Sequence, residues 1–162
     1  MRREQWKDLM EGIGFVAIVA SLIFLGVETR NNAIQAELNT KALQIAAYQD
    51  LIDNIAQMNI LTIGSPEIAA LMHKAYKTSE ELTELEEFRL SRAFFLRLRH
   101  GDMAYFQFAR GAIDESQLRS VLAPLNLGEP KMQAFWKDNQ KNFSDGYREY
   151  INASLKEINA SR

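Results

Sequence analysis

The stretch EGIGFVAIVASLIFLGVETR, residues 11–30, decides the fold because it contains a run of fifteen uncharged residues, 13–27. In an α-helix, which rises 1.5 Å per residue, that run measures about 22 Å. The hydrocarbon core of a bilayer is about 30 Å thick, so the run by itself is a short membrane span. Adding Leu9 and Met10 extends the helix to about 28 Å but includes the carboxylate of Glu11.

Three interpretations of this run compete. A cleaved signal peptide would end in a small-x-small site, and FLGVETR offers none. The buried helix of a soluble protein is compatible with the borderline length. We favour a single N-terminal transmembrane helix, because Trp6 lies where interfacial aromatic residues occur. Charged residues flank the apolar run on both sides, namely Arg2, Arg3 and Lys7 before it and Glu28 and Arg30 after it.

One side of the predicted transmembrane helix carries small and polar residues. At 100° per residue, that side contains Glu11, Gly14, Ala17, Ile18, Ser21, Leu25 and Glu28. Small residues allow helices to approach closely in lipid, so we interpret the first six as an oligomer or pore face. The alternative for Glu11 is a position among the lipid headgroups without any further role, because the cost of a charge falls away from the bilayer centre.

Helical periodicity continues beyond the apolar run. Neither proline nor glycine occurs at residues 27–63, and apolar residues recur there at intervals of three and four. We therefore predict one long helix that ends near Ile63. The sequence GSPE at 64–67 predicts a left-handed cap at Gly64 and a new helix capped by Ser65.

Further start and stop signals divide the rest of the chain into short helices. They are a cap at Thr78 or Ser79, an aromatic central helix ending at Gly111, a cap at Asp114, a start at Pro130 and a cap at Ser144. The predicted fold class is all-α, with one long N-terminal helix followed by a bundle of about four to five shorter helices. The long helix has a transmembrane part that continues into an amphipathic part. We predict a membrane-spanning segment at 1–30 and a helical domain at 31–162.

Composition and motifs argue against nucleic-acid binding, metal binding and the common catalytic sites. The formal net charge of -2 lacks the basic excess typical of nucleic-acid binding. There is no cysteine, and His73 and His100 are not spaced as metal ligands. No phosphate-binding loop or nucleophile motif is present. We therefore predict no enzymatic activity, cofactor, metal site or nucleic-acid partner.

Two charged segments allow a functional and a structural interpretation. The acidic run ELTELEEF is typical of a helix start, where the helix dipole favours carboxylates, and we prefer this to acid–base chemistry. The segment RLSRAFFLRLRH has the composition of a nucleic-acid or anionic-lipid surface. We prefer a core helix in which Arg99 pairs with Asp102, because the arginines are not all on one face.

The order of the segments resembles a family of small uncharacterised bacterial membrane proteins with one N-terminal transmembrane helix and an all-helical domain. The segments that carry the resemblance are SLIFLGVETRNN, AYQDLIDNIAQM, SPEIAALMHKAY, LTELEEFRLSRAFFLRLRHGDMAYFQFARGAIDESQL and FWKDNQKNFSDGYREYI. They cover nearly the full chain. The resemblance implies a single-pass protein of the bacterial inner membrane, and it implies no activity or site residues.

These observations lead to three hypotheses about function. The first is a non-enzymatic single-span membrane protein whose partners are membrane lipid, further copies of itself and an unidentified protein that it scaffolds through helix packing. The second is a homo-oligomeric ion channel or transport subunit with an axis lined by Glu11, Gly14, Ala17 and Ser21. The third is a soluble or peripheral helical enzyme of unknown reaction.

Overall fold

The computed structural model describes residues 2–78 and 80–160 of the chain, and this part is built from α-helices without strands. The helices are α1 (Arg2–Gly64), α2 (Pro66–Lys77), α3 (Glu84–Ala109), α4 (Glu115–Leu122), α5 (Pro130–Asn139) and α6 (Asp145–Ala160), with 3-10 turns at Ala123–Leu125 and Gln140–Asn142. The predicted all-α fold, with a long first helix and a set of shorter ones, is confirmed.

The chain divides into two units between Leu43 and Gln44, within α1. The first unit is helical throughout its described residues and contributes no residue to the core. The second unit contains the hydrophobic core and the five shorter helices. The predicted domain boundary after residue 30 marks the end of a membrane span, and it remains a prediction.

The core of the second unit is arranged around α3, which packs against α2, α4, α5 and α6. Apolar residues of α3 at intervals of four are buried, namely Leu90, Phe94 and Leu98. The last third of α1 contributes Leu51, which is 0 % exposed. The largest fully buried side chains of the remaining helices are Leu118, Met132, Trp136, Tyr147 and Ile151. The aromatic segment is therefore the central core helix, as predicted.

Several predicted helix ends are confirmed. The Ser65 hydroxyl accepts a hydrogen bond from the Ile68 amide at 3.3 Å, and Pro66 is the first residue of α2. Asp114 and Gln117 form a reciprocal capping box at the start of α4. Pro130 begins α5. Backbone N–H groups in the first turn of a helix have no partner within the helix. Serine and aspartate side chains accept hydrogen bonds from them, whereas proline has no N–H group to satisfy.

Two predicted caps are wrong. Thr78 ends α2, Ser79 lies outside the described residues, and α3 is capped by Thr83. Each of the two threonines is followed three residues later by a glutamate, the pattern of a capping box. Thr83 forms that box with Glu86, whose carboxylate also accepts a hydrogen bond from Lys74. Gly64 is helical and has no positive φ. The turn is made instead at Ser65, whose extended φ of -112° is the conformation that a following proline favours.

Gly101 of α3 lies against Tyr147 of α6. A Cβ atom at Gly101 would overlap the Tyr147 hydroxyl and approach the Leu122 side chain to 2.9 Å. Gly101 therefore allows α3 and α6 to pack closely, and the tyrosine between them is fully buried.

Candidate functional site

The apolar run of α1 is exposed along its whole length. Its large apolar side chains, at residues 13–27, are between 38 % and 69 % exposed. The helix contains an 18-residue window with a mean hydropathy of 2.2, none of which is buried in the protein. Within the described residues it is the one helix long and apolar enough to cross a membrane. An exposed apolar surface of this length is typical of membrane segments and of protein-interaction sites.

The six residues of the predicted face all lie in regular helix and are all exposed. A Cβ atom at Gly14 would meet nothing within 4 Å. The Ser21 hydroxyl donates a hydrogen bond to the Ala17 carbonyl at 2.8 Å. Because this bond satisfies the hydroxyl within its own helix, Ser21 can enter lipid or a helix–helix contact without losing a water partner.

Glu11 has a cationic neighbour one turn away. The Lys7 ammonium lies 4.0 Å from the Glu11 carboxylate, and both side chains are at least 70 % exposed. An exposed pair of this kind stabilises by about 0–1 kcal/mol. The positive charge of Lys7 offsets the negative charge of Glu11, and this weakens the attraction of Glu11 for a cation.

The helical domain contains one buried charged residue in its described part, Asp102 on α3. Its carboxylate accepts hydrogen bonds from the Arg99 guanidinium at 3.0 Å and from the Ser144 amide and hydroxyl. Arg99 also donates to the Asn142 carbonyl at 2.9 Å. The predicted Arg99–Asp102 pair is therefore present, and it joins α3 to the start of α6. Its satisfied hydrogen bonds make it a structural cluster rather than a reactive one.

The two histidines lie apart from other metal ligands. No group of three histidine, aspartate or glutamate residues suited to a metal occurs in the residues that the structure describes. Burial lowers the pKa of His100, whose Nε2 atom has no hydrogen-bond partner within the described chain. His73 is exposed. For the phenol of Tyr147, burial has the opposite effect and raises the pKa, and the nearby negative charge of Asp102 raises it further.

The acidic run at the start of α3 serves as a helix start. Glu84, Glu86 and Glu87 occupy its first turn. The Lys74 ammonium, 2.8 Å from Glu86, together with the Thr83 donors lowers the pKa of Glu86 to about 2. The interpretation as a helix start is confirmed, because Glu86 completes the capping box.

A cleft of about 640 Å³ lies between Thr78, residues 80–82, α3 and α5. Leu90, Phe94 and Phe135 form its apolar part, and glutamates lie at its edge. Ser91 also lines it, but its hydroxyl donates to the Phe88 carbonyl at 2.7 Å. Among the described residues that line the cleft there is no histidine, and the Lys131 ammonium donates a hydrogen bond to the Ala75 carbonyl at 2.9 Å.

The arginines of α3 are not all on one face, as predicted, but two of them lie on the same side as Arg110, the residue that follows the helix. By helical periodicity Arg92 and Arg99 point to one side with Arg110, whereas Arg97 points elsewhere and lines grooves beside α1. Each of the three guanidinium groups lies over an aromatic ring. The distance from Cζ to the ring centroid is 5.5 Å for Arg92 and Phe88, 4.9 Å for Arg99 and Phe143, and 4.6 Å for Arg110 and Phe106.

No protein-family model matches the chain, and neither a curated protein nor a solved structure is significantly similar to it. The resemblance to single-span bacterial membrane proteins therefore remains a prediction.

Proposed function

We propose that this chain is a non-enzymatic, single-span membrane protein that self-associates through helix packing. The observation that carries the proposal is the exposed apolar run of α1. It contains ten large aliphatic or aromatic residues between residues 13 and 27. At about 0.3–0.6 kcal/mol each, their insertion into lipid is favourable by about 3–6 kcal/mol. That gain is comparable to or larger than the cost of one charge at the bilayer centre, about 2.5–3.5 kcal/mol, and Glu11 lies near the edge.

Self-association through the face of Gly14, Ala17 and Ser21 is supported by the shape of the helix. The small side chains on this side allow two backbones to approach, and the Ser21 hydroxyl is satisfied within its helix. The opposite side carries larger residues, such as Val19 and Ile23, which suit acyl chains. The two sides therefore differ in the surface that they offer to a neighbouring helix.

Disulfide cross-linking in membranes tests this face, and the absence of native cysteine makes the experiment clean. We expect Ser21→Cys in the full-length chain to form a disulfide-linked dimer on oxidation. The matched control is Ile23→Cys, at nearly the same depth but on the other side, which we expect to cross-link several-fold less. Adding Gly14→Leu to Ser21→Cys should reduce the dimer. Equal cross-linking of the two cysteines, unaffected by Gly14→Leu, would refute self-association through this face.

A channel is the second candidate, and it is favoured by the position of Glu11 on the same face as Gly14 and Ser21. The neighbouring Lys7 weakens the case, because its charge opposes cation entry. Flux of monovalent cations into liposomes that contain the full-length chain would support a channel if Glu11→Gln abolishes it. Flux that is absent, or that is unchanged in Glu11→Gln, would exclude a pore controlled by Glu11.

A further inference from the structure

The outer side of α3 carries a continuous apolar and basic surface, which we call the α3 stripe. Its apolar members are 51–60 % exposed and are Leu85, Phe88, Leu96, Met103 and Phe106. Helical periodicity places Arg92, Arg99 and Arg110 on the same side. By helical periodicity Glu86 and Glu87 point away from the stripe, Glu84 lies at its edge, and Asp102 is buried. The stripe runs along most of a 26-residue helix, so its length matches that of a partner helix.

The composition of the α3 stripe is typical of the centre of a protein–protein interface. Aromatic residues, methionine and arginine are enriched there, whereas lysine and acidic residues are depleted. A guanidinium stacked on a ring is planar and weakly hydrated, so its burial costs less than that of an ammonium group. Arg92 and Arg110 form no ion pair within the described residues, and both are stacked on rings of the stripe. They are therefore available to an acidic partner.

The packing beside the stripe is incomplete. Leu96 and Met103 line one wall of a groove of about 270 Å³, and Asn54 and Gln57 of α1 lie on the other wall. The lining is mainly apolar and open to solvent. A groove of this size accommodates a few side chains of a docked helix, which is the usual way in which an amphipathic helix is bound.

A complementary surface exists on the same chain. Residues 44–64 of α1 contain Asp50 and Asp53 and no lysine, arginine or histidine. Neither carboxylate forms an ion pair within the described part of the chain, and both residues are exposed. The half of the helix that faces away from the buried Leu51 also exposes four isoleucines, namely Ile45, Ile52, Ile60 and Ile63, with Ile52 and Asp50 at its two edges. We call it the outer side of α1.

We propose that the α3 stripe of one copy packs against the outer side of α1 in a second copy. Arginines of the stripe then face Asp50 and Asp53, while isoleucines cover the exposed apolar residues of α3. In a twofold arrangement this contact occurs twice and closes a dimer. The inference rests on the proposed function for one point, the anchoring of both copies in one membrane, which raises their effective concentration.

Cross-linking between two differently tagged full-length copies in nanodiscs tests this contact. One copy carries Leu96→Cys and the other Ile52→Cys. We expect a disulfide between them on oxidation, and we expect far less with Lys156→Cys, an exposed control on α6. Thiol labelling of the unoxidised pair with a water-soluble maleimide gives a second readout, because the contact should slow labelling at Leu96→Cys.

Charge reversal separates a specific contact from random collision. Arg92→Glu with Arg110→Glu in the copy carrying Leu96→Cys should lower the disulfide yield about tenfold. Asp50→Arg with Asp53→Arg in the other copy should restore it. Far-ultraviolet circular dichroism of each variant checks that the helices are intact. Neither set of residues lies in the membrane-spanning segment or in the Asp102 cluster.

The outcomes that overturn the proposal are specific. One is the absence of the disulfide in the unreversed pair, and another is a loss on reversal that the second reversal does not restore. Protection of Leu96→Cys only in anionic nanodiscs, without a disulfide, would assign the stripe to a lipid surface instead. The Ser21→Cys dimer is measured in parallel, so a failure of the span face and a failure of this contact are distinguishable.

Discussion

The two ends of α1 carry similar apolar residues in different arrangements, and the arrangement decides what covers them. Residues 13–27 carry no charge on any side and are exposed throughout. Residues 44–64 place Leu51 and half-buried Ile55 on one side, against the core, and exposed Asp50 and Asp53 on the other. A one-sided pattern can be satisfied by the core of the same domain. An all-round pattern requires an apolar surrounding, which we propose to be lipid.

The largest expected effect comes from placing charge in the first region. Each arginine in Leu22→Arg with Ile23→Arg costs about 3–4 kcal/mol relative to the native residue, so the pair removes about 6–8 kcal/mol of insertion free energy. This exceeds the favourable insertion that we estimate for the whole run. We expect the variant to be released from membranes by alkaline extraction, whereas the native chain stays with them.

The matched control places the same charge in the second region. Ile45→Arg with Ile52→Arg adds two arginines to exposed positions of the same helix. We expect this variant to remain with the membrane fraction. Release of the control, or retention of the first variant, would show that the two regions do not differ in the way described here.

Truncation of Leu51 addresses the second region from the opposite direction. Leu51→Ala removes a side chain that is 0 % exposed, and such substitutions destabilise by about 2–5 kcal/mol. We expect a lower thermal midpoint for the helical domain in detergent, measured by circular dichroism, with no change in membrane association. Leu22→Ala, at an exposed position, is the control that should leave the midpoint unchanged.

A smaller effect is expected where α3 meets α6. Gly101→Ala introduces a methyl group that overlaps the Tyr147 hydroxyl, so we expect destabilisation of about 1–3 kcal/mol. Gly64→Ala is the control, because its new methyl group meets nothing within 4 Å and its helix propensity improves. Tyr147→Phe should partly rescue Gly101→Ala. If both glycine variants unfold at the same temperature, close approach is not the reason for the glycine.

The smallest expected effect is the pH dependence of Glu86. Its pKa, lowered to about 2 in the folded chain against 4.5 for an unperturbed glutamate, means that folding favours the ionised form. The resulting stabilisation is complete above pH 4.5 and is lost as the pH falls towards 2. We expect the difference in thermal midpoint between the native chain and Glu86→Gln to shrink over that interval. A difference that stays constant from pH 7 to pH 2 would contradict the assignment.

Much of the architecture follows from local sequence signals. The long helix, the caps at Ser65 and Asp114 and the start at Pro130 are set by nearby residues, and all are confirmed. Thr83 rather than Thr78 caps α3, and Lys74 of α2 reaches the glutamate of that cap, Glu86, across the turn. Local periodicity does not contain such a contact, so the sequence alone could not distinguish the two caps.

Tertiary contacts explain what the sequence left open at the candidate surfaces. The bonds from Ser144 to Asp102 join residues 42 positions apart, and only the Arg99–Asp102 part of that cluster is local. The α3 stripe could not be predicted from the sequence either, because burial depends on tertiary packing. Several residues of α3 have the composition of a core, and the structure decides which of them are buried, such as Phe94, and which are exposed, such as Phe88.

The most direct test of the central claim is flotation of the full-length chain with lipid vesicles through a density gradient, after a wash at high salt and alkaline pH. If the apolar run of α1 lies in the bilayer, the chain floats with the vesicles. Without vesicles, the chain becomes insoluble once detergent is removed. A chain that stays at the bottom of the gradient and sediments as a compact monomer in detergent-free buffer would contradict the account.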